Sequence, residues 1–211
     1  INGGAVTIAS NDDGIKSDAS ITVAGGTINI TKSYEGFEAP AITFSNGNTN
    51  VSATNDGINC TKGTVSGGTE SNDGSLLTIS GGVVASSCSN GDAIDGNGNI
   101  VMTGGVLIAQ GPPSQPELAF DYNGSFNISG GLLIASGPNS GNMIEATSNT
   151  SAQYTVLVKV NGNVAAGTLF NIQDVSGNSL VTYAPVRTAY YFVFSSSALQ
   201  SGSAYKMYTG G

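Results

Sequence analysis

The chain of 211 residues lacks histidine and tryptophan, and only 9% of its residues are charged. Without histidine it cannot build a Ser-His-Asp triad, a Cys-His pair or a histidine zinc site. It also lacks an apolar run long enough to cross a bilayer. Six basic against fourteen acidic residues give a net charge of -8, which repels nucleic acid and anionic membranes. We therefore expect neither membrane insertion nor a nucleic-acid partner.

Glycine, by contrast, is abundant at 31 residues, and a glycine corner recurs between two short apolar runs. The runs alternate apolar and polar residues, which is typical of strands, and no helical pattern accompanies them. A strand-only repeat of this length predicts an all-β fold, the parallel β-helix, in which each repeat is one coil of a single-stranded solenoid. Glycine suits a corner that needs positive φ or close approach between coils. The corner glycines are Gly4, Gly26, Gly47, Gly82, Gly105 and Gly131.

The repeat divides the chain into two predicted parts. Residues 1–150 are predicted to form the coils, and the one long repeat interval is assigned to a Gly/Ser/Thr-rich excursion at about 61–75. Residues 151–211 lose the repeat and predict antiparallel hairpins that cap the last coil. The predicted cap strands are Tyr154–Val160, Leu169–Val175, Leu180–Tyr183, Tyr190–Ser195 and Tyr205–Tyr208, with turns at Asn161-Gly162, Ser176-Gly177-Asn178 and Gln200-Ser201-Gly202.

Composition and the first residue indicate the cellular location that we expect for the protein. The chain begins at Ile1 without an initiator methionine or a signal peptide, and it is poor in lysine, so we expect a processed protein that is extracellular or on the cell surface. The first coil has no predicted cap, which favours head-to-tail self-association with a second copy through that coil. Cys60 and Cys88 either form one disulfide across coils or are both small buried residues.

Acidic residues recur beside a glycine once in each coil. Adjacent coils are about 4.8 Å apart, so stacked carboxylates lie roughly 5 to 6 Å apart and repel by about 3 kcal/mol per neighbouring pair. A divalent cation would reverse that sign, and an oxygen-only ligand set selects Ca²⁺. The alternative is that Asp and Asn recur because they form tight turns and side-chain ladders, without a metal. One predicted column is Asp13, Glu35, Asp56 and Asp92; a second, three residues on, is Glu38, Asn59, Asp95, Asp121 and Glu145, with Lys16 in its first coil. The predicted calcium ligands are Asp12, Asp13, Glu35, Glu38, Asn55, Asp56, Asp92 and Asp95.

Four motifs carry a resemblance to a known family: 11–18, 31–39, 54–59 and the Gly-Asp-Ala-Ile-Asp-Gly run at 91–96. Over most of its length the chain resembles bacterial extracellular carbohydrate-binding β-helix domains that are similar to pectate lyases of polysaccharide lyase family 9. The resemblance implies a right-handed β-helix with bound calcium that adheres to plant-type polysaccharide, either cellulose or polygalacturonate. The related lyases carry an Asp-Asp-x-x-Asp calcium motif and a lysine base. Asp12 and Asp13 match the first two acidic positions, and Lys16 replaces the third.

Three functions follow as expectations. The first is a non-catalytic, calcium-binding module for polysaccharide, with Lys16, Lys32 and Tyr34 as candidate substrate-binding residues. The second is a calcium-dependent pectate lyase, in which Lys32 is the candidate base; a solvated lysine, or one paired with the acidic column, is the alternative role for that residue. The third is a structural or adhesive surface protein, such as a filament subunit that stacks through the first coil.

Overall fold

Parallel strands build the larger part of the molecule. The computed structural model describes residues 1–63 and 71–210. Within these ranges there is no helix, and the strands stack as a parallel β-solenoid of about six turns, which confirms the predicted all-β solenoid. No described helix is long and apolar enough to cross a membrane.

The strands belong to two parallel sheets and an antiparallel end. The larger sheet has eleven strands, and a smaller five-stranded sheet runs in the order β12-β9-β6-β4-β2. A separate three-stranded sheet, β17-β16-β19, lies in the C-terminal part. The strands are β1 Asn2–Ala9, β2 Ile15–Lys16, β3 Ile21–Lys32, β4 Phe37–Ala39, β5 Ala41–Ala53, β6 Ile58–Cys60, β7 Leu76–Ile79, β8 Val83–Cys88, β9 Ile94–Gly96, β10 Asn99–Met102, β11 Val106–Gln110, β12 Asp121–Tyr122, β13 Phe126–Ile128, β14 Leu132–Gly137, β15 Thr155–Val164, β16 Phe170–Asp174, β17 Ser179–Tyr183, β18 Ala189–Ser196 and β19 Tyr205–Thr209.

Alternation along each strand places the core inside the coils. In β3, Ile28 and Ile30 are buried while Asn29 between them faces outward, as a period of two requires. The buried residues of successive coils stack in register, and Phe37 meets Phe44 edge to face with ring centroids 5.3 Å apart. Each fully buried aliphatic or aromatic side chain of this kind contributes about 1.5 to 3 kcal/mol.

Glycine at the corners meets both requirements that the sequence predicted. All six corner glycines have φ between +74° and +92°, a region that other residues rarely adopt. A Cβ on Gly26 would lie 2.7 Å from the carbonyl oxygen of Gly4 in the preceding coil. The corner therefore needs glycine for its backbone conformation and for the close approach between coils.

Two segments leave the regular coil. The predicted excursion at about 61–75 lies partly outside the described residues; its described parts, 61–63 and 71–75, contain no strand and join β6 to β7. A second excursion, at 111–120 between β11 and β12, was not predicted from the sequence. It places the backbone of Leu118 and the side chain of Glu117 next to the acidic column.

The C-terminal part contains the five predicted strands but pairs them differently. β18 pairs antiparallel with β14 of the last coil and continues the larger sheet, and β15 pairs with the far side of β18. The prediction of a turn at Asn161-Gly162 was wrong: both residues lie inside β15, where Gly162 takes φ +92° and the pairing with β18 is irregular. Only β16 and β17 form a hairpin of sequence neighbours, since β18 and β19 belong to different sheets.

A second apolar cluster holds this end on the solenoid. Phe170 and Phe192 stack with ring centroids 3.8 Å apart, and Ile134 of the last coil is buried in the same cluster. Ile108 and Leu132, which face outward from the larger sheet, also pack against it. The outer face of the sheet is therefore apolar where the C-terminal part covers it.

The two cysteines do not pair. Cys60 and Cys88 are both buried free thiols, so the second of the two sequence interpretations is correct.

Candidate metal centre

The predicted first acidic column exists in register. The smaller sheet aligns Ile15 with Phe37, Phe37 with Ile58, and Ile58 with Ile94 on successive coils. The acidic residues two positions earlier therefore follow one another along the solenoid. They are Asp13, Glu35, Asp56 and Asp92.

Each carboxylate of this column accepts a hydrogen bond from a backbone N–H of the next coil. Asp13 Oδ1 accepts from Glu35 N at 3.3 Å, Glu35 Oε2 from Asp56 N at 2.9 Å, and Asp56 Oδ1 from Asp92 N at 2.6 Å. Asp92 Oδ1 accepts from Leu118 N, which the second excursion supplies. We call this arrangement the carboxylate ladder. Hydrogen bonds to a charged group are worth about 1.5 to 3 kcal/mol, so each rung offsets most of the repulsion between neighbouring acids.

A lysine neutralises the first-coil end of the acidic columns. Lys16 Nζ lies 3.0 Å from Asp13 Oδ2 and 2.8 Å from Glu38 Oε1, and its side chain is half-exposed. The hydrogen bonds that Lys16 donates to Glu38 and Asp13 raise the pKa of its ammonium above the usual value. Lys16 and Glu38 are partners in the strand register. The positive charge of Lys16 therefore lies at the start of the second acidic column, whose next member is Glu38.

The other end of the columns gathers carboxylates without such an ammonium. Asp95 and Asp121 are strand partners on β9 and β12, and Asp92 lies three residues before Asp95 in the chain. Carboxylate oxygens of Asp92, Asp95 and Asp121 all lie within 4.8 Å of one another. Asp92 and Asp121 border a basin of about 460 Å³ that Glu117 and Glu145 also line, and none of its described lining residues is basic. We call the three aspartates the aspartate cluster.

Burial and mutual repulsion disfavour charge on these acids. Burial, followed by the charges of Asp56 and Asp121, raises the pKa of Asp92 to about 9, against the opposing Leu118 N–H. Burial and the same two charges raise the pKa of Asp95 to about 8. The effect weakens toward the first coil: burial chiefly raises the pKa of Glu35 to about 7, with Asp56 adding to it.

The geometry of the aspartate cluster suits a calcium ion. Ca²⁺ takes oxygen ligands at about 2.3 to 2.6 Å, so two oxygens on opposite sides of one ion are up to about 5 Å apart. The separations within the cluster fall inside that limit. A divalent charge among these carboxylates would also oppose the burial and the mutual repulsion that raise the pKa values of Asp92 and Asp95. The donor set contains oxygen alone, which disfavours zinc and copper.

The remaining predicted ligands lie in other surroundings. Asp12 is exposed, and its backbone carbonyl, rather than its carboxylate, accepts a hydrogen bond from Tyr34 N. Asn55 donates its side-chain amide to Glu35 Oε1 at 2.8 Å and to Asp56 Oδ2 at 3.4 Å, so it acts as a donor within the ladder. Glu38 is paired with Lys16.

The candidate substrate-binding residues lie in the first two coils. Lys32 is exposed and donates from Nζ to Asn11 Oδ1 at 2.6 Å, and Tyr34 is 52% exposed. Strand register separates Lys16 from Asp95 by three coils, which is about 14 Å along the solenoid. The structure thus brings Asp92 and Asp95 together and leaves these three residues away from them.

Sequence reasoning missed two members of the site. Asp121 was placed in the second acidic column but not among the ligands, although its position relative to Asp95 was the signal. Glu117 lies in the second excursion, where no repeat aligns it with anything, so the sequence pattern held no signal for it.

Comparison with known proteins adds no family to this picture. No family model, curated protein or solved structure matches the chain. The molecule is therefore defined by its own fold and site, as a β-solenoid with a carboxylate ladder and an aspartate cluster.

Proposed function

We propose that this chain is an extracellular or cell-surface module that binds calcium and adheres to polysaccharide without cleaving it. The observation that supports the metal is the convergence of Asp92, Asp95 and Asp121 within 4.8 Å. These three carboxylates would hold the ion, and Glu117 lines the same basin. A bound calcium ion supplies positive charge in a strongly acidic surface and open coordination positions for oxygen ligands.

The contrast between the two ends of the acidic columns supports a position for the proposed ion. At the first-coil end, the Lys16 ammonium already neutralises Asp13 and Glu38. Between the two ends of the columns, backbone N–H groups donate to the carboxylates of the ladder. At the aspartate cluster Asp92 accepts the Leu118 N–H and Asp95 Oδ2 accepts from Asn97 Nδ2 at 2.9 Å, but none of the described residues that line the adjoining basin is basic. The unbalanced charge therefore concentrates at the far end, and we place one calcium ion there rather than one in every coil.

Two observations support a binding role over a lyase. A pectate lyase needs a basic residue near the cation that neutralises the uronate. The described lining of the basin contains no lysine or arginine, and Lys32 lies in the second coil, bonded to Asn11. The resemblance of the four motifs to carbohydrate-binding β-helix domains supports polysaccharide as the proposed ligand. The positive charge of the calcium ion would overcome the repulsion between an anionic uronate chain and this acidic protein.

Calorimetric titration of the full chain with calcium tests the metal. We expect one ion per chain for the wild type and no binding for a D95N/D121N variant, because each amide replaces an anionic ligand by a neutral one. Asp18→Asn is the matched control, since Asp18 is exposed and outside the ladder. Calcium binding that survives in D95N/D121N would contradict the assignment.

Polysaccharide arrays, with and without chelator, test the partner. We expect binding to polygalacturonate that chelator abolishes. A rise in ultraviolet absorbance from unsaturated products on polygalacturonate would instead establish the lyase alternative, and an array without any bound polysaccharide would refute the proposed function.

Self-association is the second candidate function. In the described structure β1 and β2 are edge strands of the two parallel sheets, at the end opposite the C-terminal part. Edge strands present backbone N–H and C=O groups that pair with other chains. Sedimentation velocity over a range of concentrations would detect assembly, and a monomer at all concentrations would refute it.

A further inference from the structure

A groove on the outer face of the larger sheet has no part in the metal centre. It has a volume of about 550 Å³, and none of its lining residues belongs to the carboxylate ladder or the aspartate cluster. Its floor is formed by outward side chains of neighbouring coils in register. We call it the polar groove and define it by Asn29, Thr31, Asn50, Ser52, Ser87 and Gln110.

The C-terminal part turns this stretch of sheet into a recess. The row that begins with Asn29 and Asn50 continues in register through Ala85 to Ile108, and from there to Ile134. Its two isoleucines lie in or against the apolar cluster of the C-terminal part, whereas the two asparagines are left uncovered. The row is therefore polar through Asn50 and apolar from Ala85, and the C-terminal part covers it from Ile108.

A fixed loop forms the wall of the polar groove at that boundary. Val186, between β17 and β18, lines the groove and is 60% exposed. Its backbone N–H donates to Gln110 Oε1 at 2.8 Å, which ties the loop to the sheet. The polar groove therefore lies between the sheet and the C-terminal part, and a hydrogen bond holds its wall against the sheet.

The hydrogen-bonding groups of the floor are already oriented. Asn50 Nδ2 donates to Asn29 Oδ1 at 3.1 Å, which makes an amide ladder across two coils. Thr31 Oγ1 donates to Ile8 O at 3.0 Å, and Ser87 Oγ donates to Val51 O at 3.0 Å. A hydroxyl whose O–H already donates one hydrogen bond can still accept others through its lone pairs. Each side-chain amide has two N–H donors. The floor therefore offers fixed donors and acceptors side by side.

The groove is also free of charge in a chain whose net charge is -8, since none of its described lining residues is ionisable. An anionic ligand would find no cation there, and a cationic ligand would find no carboxylate. Sugar hydroxyls, which both donate and accept, fit a floor of amides and hydroxyls, and their C–H faces fit the methyl groups of Ala85 and Val186. We propose that the polar groove binds a segment of an uncharged glycan. This inference rests on the proposed polysaccharide function and adds a second, calcium-independent site to it.

Titration of the full chain with uncharged hexasaccharides tests the polar groove. The probes are cellohexaose, xylohexaose and mannohexaose, with hexagalacturonate plus calcium as the charged comparison. We expect at least one uncharged probe to bind equally well with and without chelator. The variant N29A/N50A removes both rungs of the amide ladder and should weaken binding about tenfold, as expected for two lost hydrogen-bonding partners.

Asn48→Ala is the matched control, because Asn48 is an exposed asparagine on the same strand, β5, that does not line the groove. Melting curves of both variants establish that they remain folded. If N29A/N50A binds the uncharged probe as well as the wild type does, the groove assignment is wrong and the proposed function stands. The same conclusion follows if hexagalacturonate alone binds. If no probe binds, both the inference and the proposed function are refuted.

Discussion

The raised pKa values of the aspartate cluster predict an unusual dependence of stability on pH when calcium is absent. Asp92 has a folded-state pKa of about 9 against a usual value of 3.8, so between these values the folded protein holds a proton that the unfolded chain has released. Stability therefore falls as pH rises through this window. Asp95, with a pKa of about 8, acts in the same direction.

The size of the effect follows from the Asp92 shift. One pH unit across the window is worth 1.36 kcal/mol per proton, so Asp92 alone costs the calcium-free protein about 4 kcal/mol between pH 5 and pH 8. A domain of this size loses roughly 2 to 4 °C in Tm per kcal/mol, so the expected fall is about 8 to 16 °C. Calcium should offset about 2.7 kcal/mol of this loss when the ion is at a hundred times its Kd.

Urea denaturation at several pH values, in chelator and in calcium, measures this directly. Asp92→Asn provides the sharpest comparison, because the amide keeps an oxygen that can accept the Leu118 N–H and cannot ionise. At pH 8 in chelator the variant should be more stable than the wild type, and calcium should narrow this difference because it stabilises the wild type more. A wild-type stability that is constant between pH 5 and pH 8 in chelator would refute the account of the cluster.

Three further substitutions test the fold. Gly26→Ala should cost about 1 to 3 kcal/mol more than Gly4→Ala, because both have positive φ but only the Cβ at Gly26 meets the backbone of a neighbouring coil; equal costs in urea denaturation would contradict the close approach between coils. Lys16→Met should lower stability by about 1 kcal/mol and Lys32→Met by less, since Lys32 bonds only an amide in the described contacts; a larger effect for Lys32→Met would argue against the ion pairs. Phe192→Ala should cost about 3 to 5 kcal/mol, and a smaller loss of thermal stability would show that the C-terminal part is weakly attached.

The repeated features of the fold were accessible from sequence because they are local and periodic. A corner such as Gly26 needs the same backbone conformation in every coil, so its spacing alone indicates the solenoid, and strand alternation indicates which side chains face inward. The C-terminal strands were also found. Their pairing was not, because β15 continues through the irregular Asn161-Gly162 stretch and pairs on both sides of it with β18, a strand distant in sequence.

The acidic columns were predicted in register, but the way their charge is accommodated was not. A carboxylate ladder depends on the direction of one backbone N–H per coil, such as that of Asp56 toward Glu35, and no residue pattern records that direction. The sequence showed the crowding of acids and suggested bound calcium, with a metal-free side-chain ladder as the alternative. The structure shows a backbone donor for each carboxylate of the ladder, and the calcium ion that we propose lies at Asp92 and its neighbours.

The candidate sites of this molecule lie where its repeat is broken. Lys16 departs from the acidic pattern and neutralises one end of the columns, while the excursion at 111–120 brings Leu118 and Glu117 to the other end. The polar groove likewise begins where the apolar cover of the larger sheet stops, beside Val186. A regular coil presents the same groups at the same spacing along its whole length and so cannot distinguish one position from another. The irregular residues supply that distinction, and the regular ones hold them in register.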